Sequence, residues 1–594
     1  MKLNTLLIAV LCPILSTTLV FAAKDSAKDT EDDNGPLTLG KVSMPGLAFR
    51  SVGPAVTGGR IIDIEVNPSD HSEYYVASGH GSLWKTTNNG VTFSPIFDAQ
   101  SSFSIGAVTL DPSNPNVVWA GTGENNAHSY LVPGDGVYRS ADGGKSWVKK
   151  GLDDSEQIGE IVVHPEDPNT VWIAAYGSHR RSGGDRGVYK TTDGGETWVN
   201  VLRPSDHTGC WQLHMDPRDP DVLYAVAHQR QRYLTTIVTG GDESGIHKTT
   251  EGGETWVRLE GGFPQKMVGR IGMDISPVDP DVLFAIVDAK EKKDKGTYRS
   301  DDGGASWTKT SDYLTAYTFY FQRLVCDTEN VDRVYGLDLF NQVSTDGGKT
   351  WSRLGEDRKH VDNHALWIDP TDNRHMLSGC DGGVYETFDQ GEAWSFKANL
   401  PIAEIYKVTA DNAKPFYNVY IGTQDNNSLG GPSRTINSSG ITNADWYFTL
   451  GGDGFETVVD WTDPNILYSQ SQFGNITRYD KKSGERLYLR GYEKAGEEAY
   501  RFDWDAALII SRHDHKRLYH GANVVLRSDD RGESWREISP DLTRGVPTKL
   551  HPLMERNWSI DEMVTKASFA HIVSLAESPL DENRLYAGSG DGLL

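Results

Sequence analysis

The chain of 594 residues exceeds the ~250 to 300 at which a single hydrophobic core stops growing, so more than one domain is expected. Its 83 acidic against 58 basic residues give a formal charge of -25 with no Lys/Arg-rich run, which argues against nucleic acid or an anionic membrane as partner. Sixty-two glycines and 10% aromatic residues suit many short strands joined by tight turns, an all-β composition.

At the N-terminus, Lys2 precedes an apolar run from Leu3 to Val20, and Val20-Phe21-Ala22 offers small or apolar residues where a signal peptidase reads. This predicts a signal peptide over 1–22, cleaved near Ala22, and a secreted or periplasmic protein. The acidic stretch that follows, within 23–44, reads as a disordered lead-in. No later segment is apolar enough to span a bilayer, so membrane insertion is not expected. Loss of the signal leaves Cys210, Cys326 and Cys380, at most one disulfide, so packing must hold the fold.

From residue 45 the chain repeats. SADGGKSW (140–147), TTDGGETW (191–198), TTEGGETW (249–256), SDDGGASW (300–307), STDGGKTW (344–351) and SDDRGESW (528–535) are copies of one octapeptide. With the looser copies around Asn88 and Asp389, alignment by the third residue gives Asn88, Asp142, Asp193, Glu251, Asp302, Asp346, Asp389 and Asp530, spaced by 43 to 58 residues and finally by 141, room for two repeats without the box. A turn followed by an apolar strand recurs independently, as in DPSNPNVVWAG or SPVDPDVLFAI, with starts at 67, 111, 164, 216, 276, 327, 369, 411, 460, 511 and 578. A period near 50 with this layout indicates a β-propeller. Residues 105–150 predict one four-stranded blade: IGAVTL, VVWAGT, GVYRS and SWVKK, with the octapeptide joining the last two. The box Asp then serves to accept turn amides, its Gly to take positive φ and its Trp to wedge between blades, a structural role.

The octapeptides resemble Asp boxes, or BNR repeats, of sialidases, sortilin-type receptors and two-propeller xyloglucanases. FRSVGPAVTGGRI (49–61), WAGTGENN (119–126), HVDNHALWIDP (360–370), GTQDNNSLGGPSRT (422–435) and GGDGF (451–455) further resemble bacterial secreted sortilin-like or glycosyl-hydrolase-like BNR proteins. The resemblance implies boxes remote from the ligand and tandem propellers: a seven-bladed one over 45–395, and an incomplete second over 396–594, broken off at GSGDGLL.

Ligands are expected at the loops opposite the boxes. Those loops carry His80, Glu124, Asn125, Asn126, His128, Arg180, Arg181, Asp185, Arg230, Asn426, Asn427 and Arg434, a mix suited to glycan, peptide or protein. Asp381, Asp425 and Asp453 gather near the seam between the two propellers, as candidate catalytic acids or as ordinary Asp-Gly turns. His360, Asp362 and His364 alternate, so on a strand they would share a face and hold a divalent ion; a polar strand entrance is the alternative. No other cofactor motif is present. Two functions follow: a propeller that binds a peptide, protein or glycan, or an inverting glycoside hydrolase resembling the xyloglucanases. His80 stands where the xyloglucanases carry an acidic residue in the first blade, which favours binding.

Overall fold

The computed structural model describes residues 50–126, 131–233, 235–545, 552–565 and 569–594; the expected signal peptide and acidic lead-in, and His128, lie outside the described residues. Val52–Leu594 forms one compact unit, to which everything below refers. Among the described residues, ten four-stranded antiparallel sheets succeed one another, each with its strands in chain order, a two-stranded sheet over 572–589 follows, and a small three-stranded sheet joins 231–238 to 564–565. This is β-propeller architecture, with each four-stranded sheet a blade.

The blade is written in the burial of its strands. Second strands such as Tyr74–Ser78, Val171–Ala175 and Met376–Cys380 are buried at every residue, because sheets cover both of their faces. Fourth strands such as Ser94–Pro95, Val148–Lys149 and Ser352–Arg353 are two residues long and exposed, so each blade presents an edge too short to recruit another chain. Neighbouring sheets share apolar clusters: Tyr75 and Leu83 of the first (61–95) pack with Val108 and Tyr138 of the second (105–149). The seventh sheet (363–396) packs back on the first, Ala365, Leu377 and Val384 against Ile61, Ile64 and Val76. Beyond it, Lys397 Nζ donates to Asn89 O at 3.0 Å and Asn399 Nδ2 to Gly90 O at 2.9 Å, fastening the seventh sheet to the first.

All eleven repeat starts fall on the turn between first and second strands. In each, the side chain at 67, 111, 164, 216, 276, 327, 369, 411, 460, 511 or 578 accepts the backbone N–H two residues on, which closes the turn locally.

The octapeptides are turns between third and fourth strands. Asp142 Oδ1 accepts Ser140 Oγ at 2.8 Å and Ser146 N at 2.9 Å, and its Oδ2 accepts Ser146 Oγ at 2.6 Å. These hydrogen bonds, those from Ser146 foremost, hold its carboxyl down to about 2. Gly143 and Gly144 take φ of 71° and 89°, and Trp147 Nε1 donates to Ile96 O of the preceding blade at 2.8 Å. Asp193, Asp302, Asp346 and Asp530 repeat this pattern, and Asp389 keeps its Thr387 and Ala393 donors. Glu251 reaches only the Thr255 hydroxyl, at 2.6 Å. Replacing Asp193 with Ala is expected to lower the thermal midpoint by a few degrees while ligand affinity of the folded protein is unchanged; loss of affinity at an unaltered midpoint would contradict a purely structural box.

First strands are bulged near their start. Pairing with the second strand skips Ile62, Gly106, Trp211, His364 and Tyr406 in the first, second, fourth, seventh and eighth sheets. A bulge re-aims a side chain. Here it turns Ile62, Trp211 and His364 toward one small internal cavity that Asn126, Arg270 and Tyr320 also line.

Candidate functional site

At the same end of the strands lies a polar centre built around Arg60, the residue before the first strand Ile61–Val66. Its guanidinium is buried and donates from Nε to Asp381 Oδ1 at 2.9 Å and from Nη1 to Glu124 Oε1 at 3.0 Å. Nη1 also lies 3.6 Å from Glu404 Oε2, and Nη2 3.6 Å from Asp425 Oδ2. The four acids arrive from three sheets. Glu124 follows the second strand of the second sheet, Asp381 that of the seventh and Asp425 that of the eighth, while Glu404 precedes the first strand of the eighth.

Asp381 is the hub. Oδ1 also pairs with His364 Nε2 at 2.7 Å, and Oδ2 accepts the Tyr320 hydroxyl at 2.7 Å. Its backbone N–H donates to Asp362 O at 3.0 Å and its carbonyl accepts Asn426 Nδ2 at 2.8 Å. Behind it, Asn126 Nδ2 meets His364 Nδ1 at 3.1 Å. The chain is tight here: a Cβ on Gly382 would come within 2.3 Å of the His360 ring. Asp362, Asp425 and Asn427 take φ of 66°, 59° and 76°, left-handed conformations that side chains adopt at a cost and that cluster at working sites.

Four carboxyls face this one guanidinium, with Asp362 and Asp453 beside them, and their protonation divides accordingly. Burial would raise Asp381, but Arg60 and His364 hold it well below the ordinary carboxylate range. Burial pushes Glu404 up to about 8 despite Arg60, and burial with the charge of Asp381 pushes Asp362 up to about 7. Asp425 is driven well above its ordinary value by burial and by Asp381 and Asp453; burial raises Asp453 and Glu124 too. At neutral pH Asp381 is therefore ionised and Glu404 a proton donor. Glu404 and Asp425 remain partly exposed, at 12% and 24% of the side chain.

The sequence candidates separate on this map. His80 joins the centre, Nδ1 at 3.1 Å from Glu404 Oε2. Glu124, Asn126, Asp381, Asp425, Asn426 and Asp453 meet there, Asp453 through Asp425 N at 2.9 Å and Trp504 Nε1 at 2.9 Å. Asn125 instead ties inner strands together, its Nδ2 donating to Gly106 O and Gly159 O at 3.2 Å each. Arg181 pairs with Asp154 and Glu156 in the third sheet's loop, and Arg180 is exposed beside it. Arg434 is exposed just beyond the third strand of the eighth sheet, at the opposite end of that strand from Asp425, so it lies on the box side rather than the ligand side. Arg60, Tyr320 and Glu404 were not singled out in the sequence.

Two expectations need correction. The HVDNH stretch does not place His360, Asp362 and His364 on one strand face, because the strand begins at Asn363 and Asp362 is left-handed. His364 is committed to Asp381 and Asn126, and His360 Nδ1 lies 2.8 Å from its neighbour's carbonyl, Val361 O. The group spaced for an ion is instead Asp362, Asp381 and Asp425, with ligand oxygens within 4.8 Å of one another. Arg60 already supplies positive charge to two of the three. After extensive dialysis the protein is expected to carry well below one equivalent of divalent metal; a stoichiometric ion lost on Asp362→Asn would reverse this. The same spacing bears on catalysis: Asp381 and Asp425 stand closer than the ~6.5 to 9.5 Å of an inverting pair. Asp381, 2% exposed with both oxygens engaged, is a positioning residue.

Comparison with known proteins agrees with this architecture. The Sortilin-Vps10 family model (sortilin, neurotensin receptor 3) matches residues 135–239 and 188–336, and the BNR/Asp-box repeat matches 342–353. The chain is thus similar to BNR, sortilin-like propellers and to the xyloglucanase-like superfamily. Among curated proteins it is 21% identical over 458 residues to a xyloglucanase of Hypocrea jecorina, covering 69% of this chain and 49% of that protein. It is 22% identical over 394 residues to xyloglucanase Xgh74A of Acetivibrio thermocellus, covering 59% and 43%. This propeller thus spans about half the length of the curated relatives it matches. The crystal structure of the GH74 xyloglucanase from Xanthomonas campestris superposes with a TM-score of 0.50 at 14% identity, over 91% of this chain and 92% of that one, a likeness of fold.

Proposed function

We propose that this propeller acts on a glycan at the Arg60 centre, as a glycoside hydrolase with Glu404 and Asp425 as its working carboxyls. The observation that carries the reading is their placement: two partly exposed acids, one beside each Nη of a buried arginine, next to an ionised Asp381. A carboxyl raised to about 8 is protonated at neutral pH, as a general acid for a glycosidic oxygen must be. Arg60 lies between the two acids and fixes where each stands. The xyloglucanase relatives support a glycan as ligand. We further propose that 45–395 make one closed seven-bladed propeller and 396–594 open a second, and that the protein is secreted or periplasmic after cleavage near Ala22.

A second reading is binding of a glycan, peptide or protein without cleavage. It is favoured by the hydrogen bonds that Asp425 exchanges with Asp381 and Asp453, which engage the carboxyl a hydrolase needs free. Incubating the purified protein with a panel of β-glucans, xyloglucan and peptides, with product analysis and calorimetry in parallel, separates the two. New reducing ends establish hydrolysis, whereas saturable heat without products establishes binding.

A further inference from the structure

A second charged centre, of opposite sign, lies among the third, fourth and fifth sheets. Arg186, Arg230 and Arg270 are buried to 1%, 3% and 1% exposure. Buried charges are normally paired, because removing a guanidinium from water costs several kcal/mol unless an opposite charge offsets it. These three have no carboxylate within ion-pair distance among the described residues. Arg186 donates to the carbonyls of Tyr176, Ser178, Arg181 and Gly183, and Arg270 Nη1 to those of Phe319 and Tyr320. Arg230 has the Gln157 side-chain oxygen and the face of Tyr176, 3.2 Å from its Cζ. Nor do the undescribed internal segments 127–130, 234, 546–551 and 566–568 contain any Asp or Glu.

The remaining donors are left over. Arg230 Nε and Nη1, and Arg270 Nε, meet no acceptor among the described residues. The two guanidiniums belong to one stack: Arg230 covers Tyr176, Tyr176 lies 6.5 Å from Trp211, and Arg270 covers Trp211 at 3.9 Å. Such a stack holds the planar groups rigid without neutralising them. Their charge is felt around them, since burial and then Arg230, Arg180, Arg232 and Arg186 push His179 down to about 2. Arg180, exposed, and Arg232, half-buried, extend the positive region to the surface of a chain whose net charge is -25. Tyr320 joins the two centres, its carbonyl accepting Arg270 Nη1 at 3.2 Å and its hydroxyl donating to Asp381 Oδ2 at 2.7 Å.

We propose that the Arg230–Arg270 centre binds a carboxylate, either the uronate of a glycan or a free small carboxylate. Planar, bidentate recognition by a preorganised guanidinium fork is what a carboxylate offers and takes. The assignment stands apart from the hydrolytic reading, since only its glycan source rests on a glycan occupying the Arg60 centre. The test is calorimetry and thermal shift on the full chain, at constant ionic strength, with sodium formate, glucuronate and an oligoglucuronate, and chloride as the control salt. Saturable binding of formate and glucuronate that Arg230→Met weakens at least about tenfold supports the site with a free carboxylate as source. Binding of the oligoglucuronate alone, with the same loss, supports it with a glycan source. Arg230→Lys, which keeps the charge but not the fork, serves if the Met variant does not fold, and a similar loss is expected. A response equal to that of chloride, or one unchanged in the Arg230 variants, overturns the proposal.

Discussion

Replacing Arg60 with Met is expected to destabilise the protein by about 3 to 5 kcal/mol, the usual cost of leaving a buried charge without its partner. The substitution keeps the stem's volume and removes the guanidinium that Glu124, Asp381, Glu404 and Asp425 share. Asp381, held low by Arg60 and His364, contributes stability that is present above the ordinary Asp value of ~3.9 and is lost as pH falls through its folded value. The deficit of Arg60→Met is therefore largest near pH 7 and shrinks toward pH 4, where the orphaned acids take up protons. Urea unfolding at both pH values checks this. A double-mutant cycle with Asp381→Asn should show strong coupling, because removing both partners leaves neither charge buried alone. Equal deficits at the two pH values would mean that Arg60 stabilises by packing and not by charge.

The fold was legible because its signals are local and repeated. A Ser or Thr two residues before an Asp, with glycines behind it, closes the same turn wherever it occurs, and the eleven polar turn starts each need only a side chain and an amide two residues away. The contact of the seventh sheet with the first, by contrast, is carried by apolar residues far apart in the chain, such as Ile61 and Leu377.

The site was legible only in part, because what defines it is convergence. Asp381, Asp425, Asp453 and Glu124 could be marked as loop acids, but Arg60 and Asp381 stand 321 residues apart and meet only when the seventh sheet comes round to the first. Arg60 precedes an apolar strand and reads as an ordinary flank. No local signal marks it, since the residue before the first strand is polar in most other sheets too, among them Gln157, His207, Asp362 and Glu404. The HVDNH reading failed on the bulge, since strict alternation assumes a regular strand and the structure breaks it at Asp362 and His364. Arg434 was misplaced because loops of similar composition occur at both ends of a blade.

Changing Glu404 to Gln is expected to lower turnover of a cleaved glycan by ~10² to 10⁴ with binding retained, since the amide keeps the shape and hydrogen-bonding reach but has no proton to give. The alkaline limb of the wild-type rate profile should lie near 8, where Glu404 loses its proton, and should vanish in the variant. Stability supplies an independent readout. A carboxyl at about 8 in the folded protein and ~4.3 unfolded binds more proton when folded, so wild-type stability declines as pH rises between those values. The Gln variant escapes that decline and should be more stable than wild type at pH 8, by on the order of 2 kcal/mol, with little difference at pH 4. Asp425→Asn should impair turnover comparably if the acids on the two Nη atoms of Arg60 work as a pair. Turnover indifferent to both substitutions, with the stability crossover intact, would leave the Arg60 centre as a binding site and move the chemistry elsewhere on the loop face.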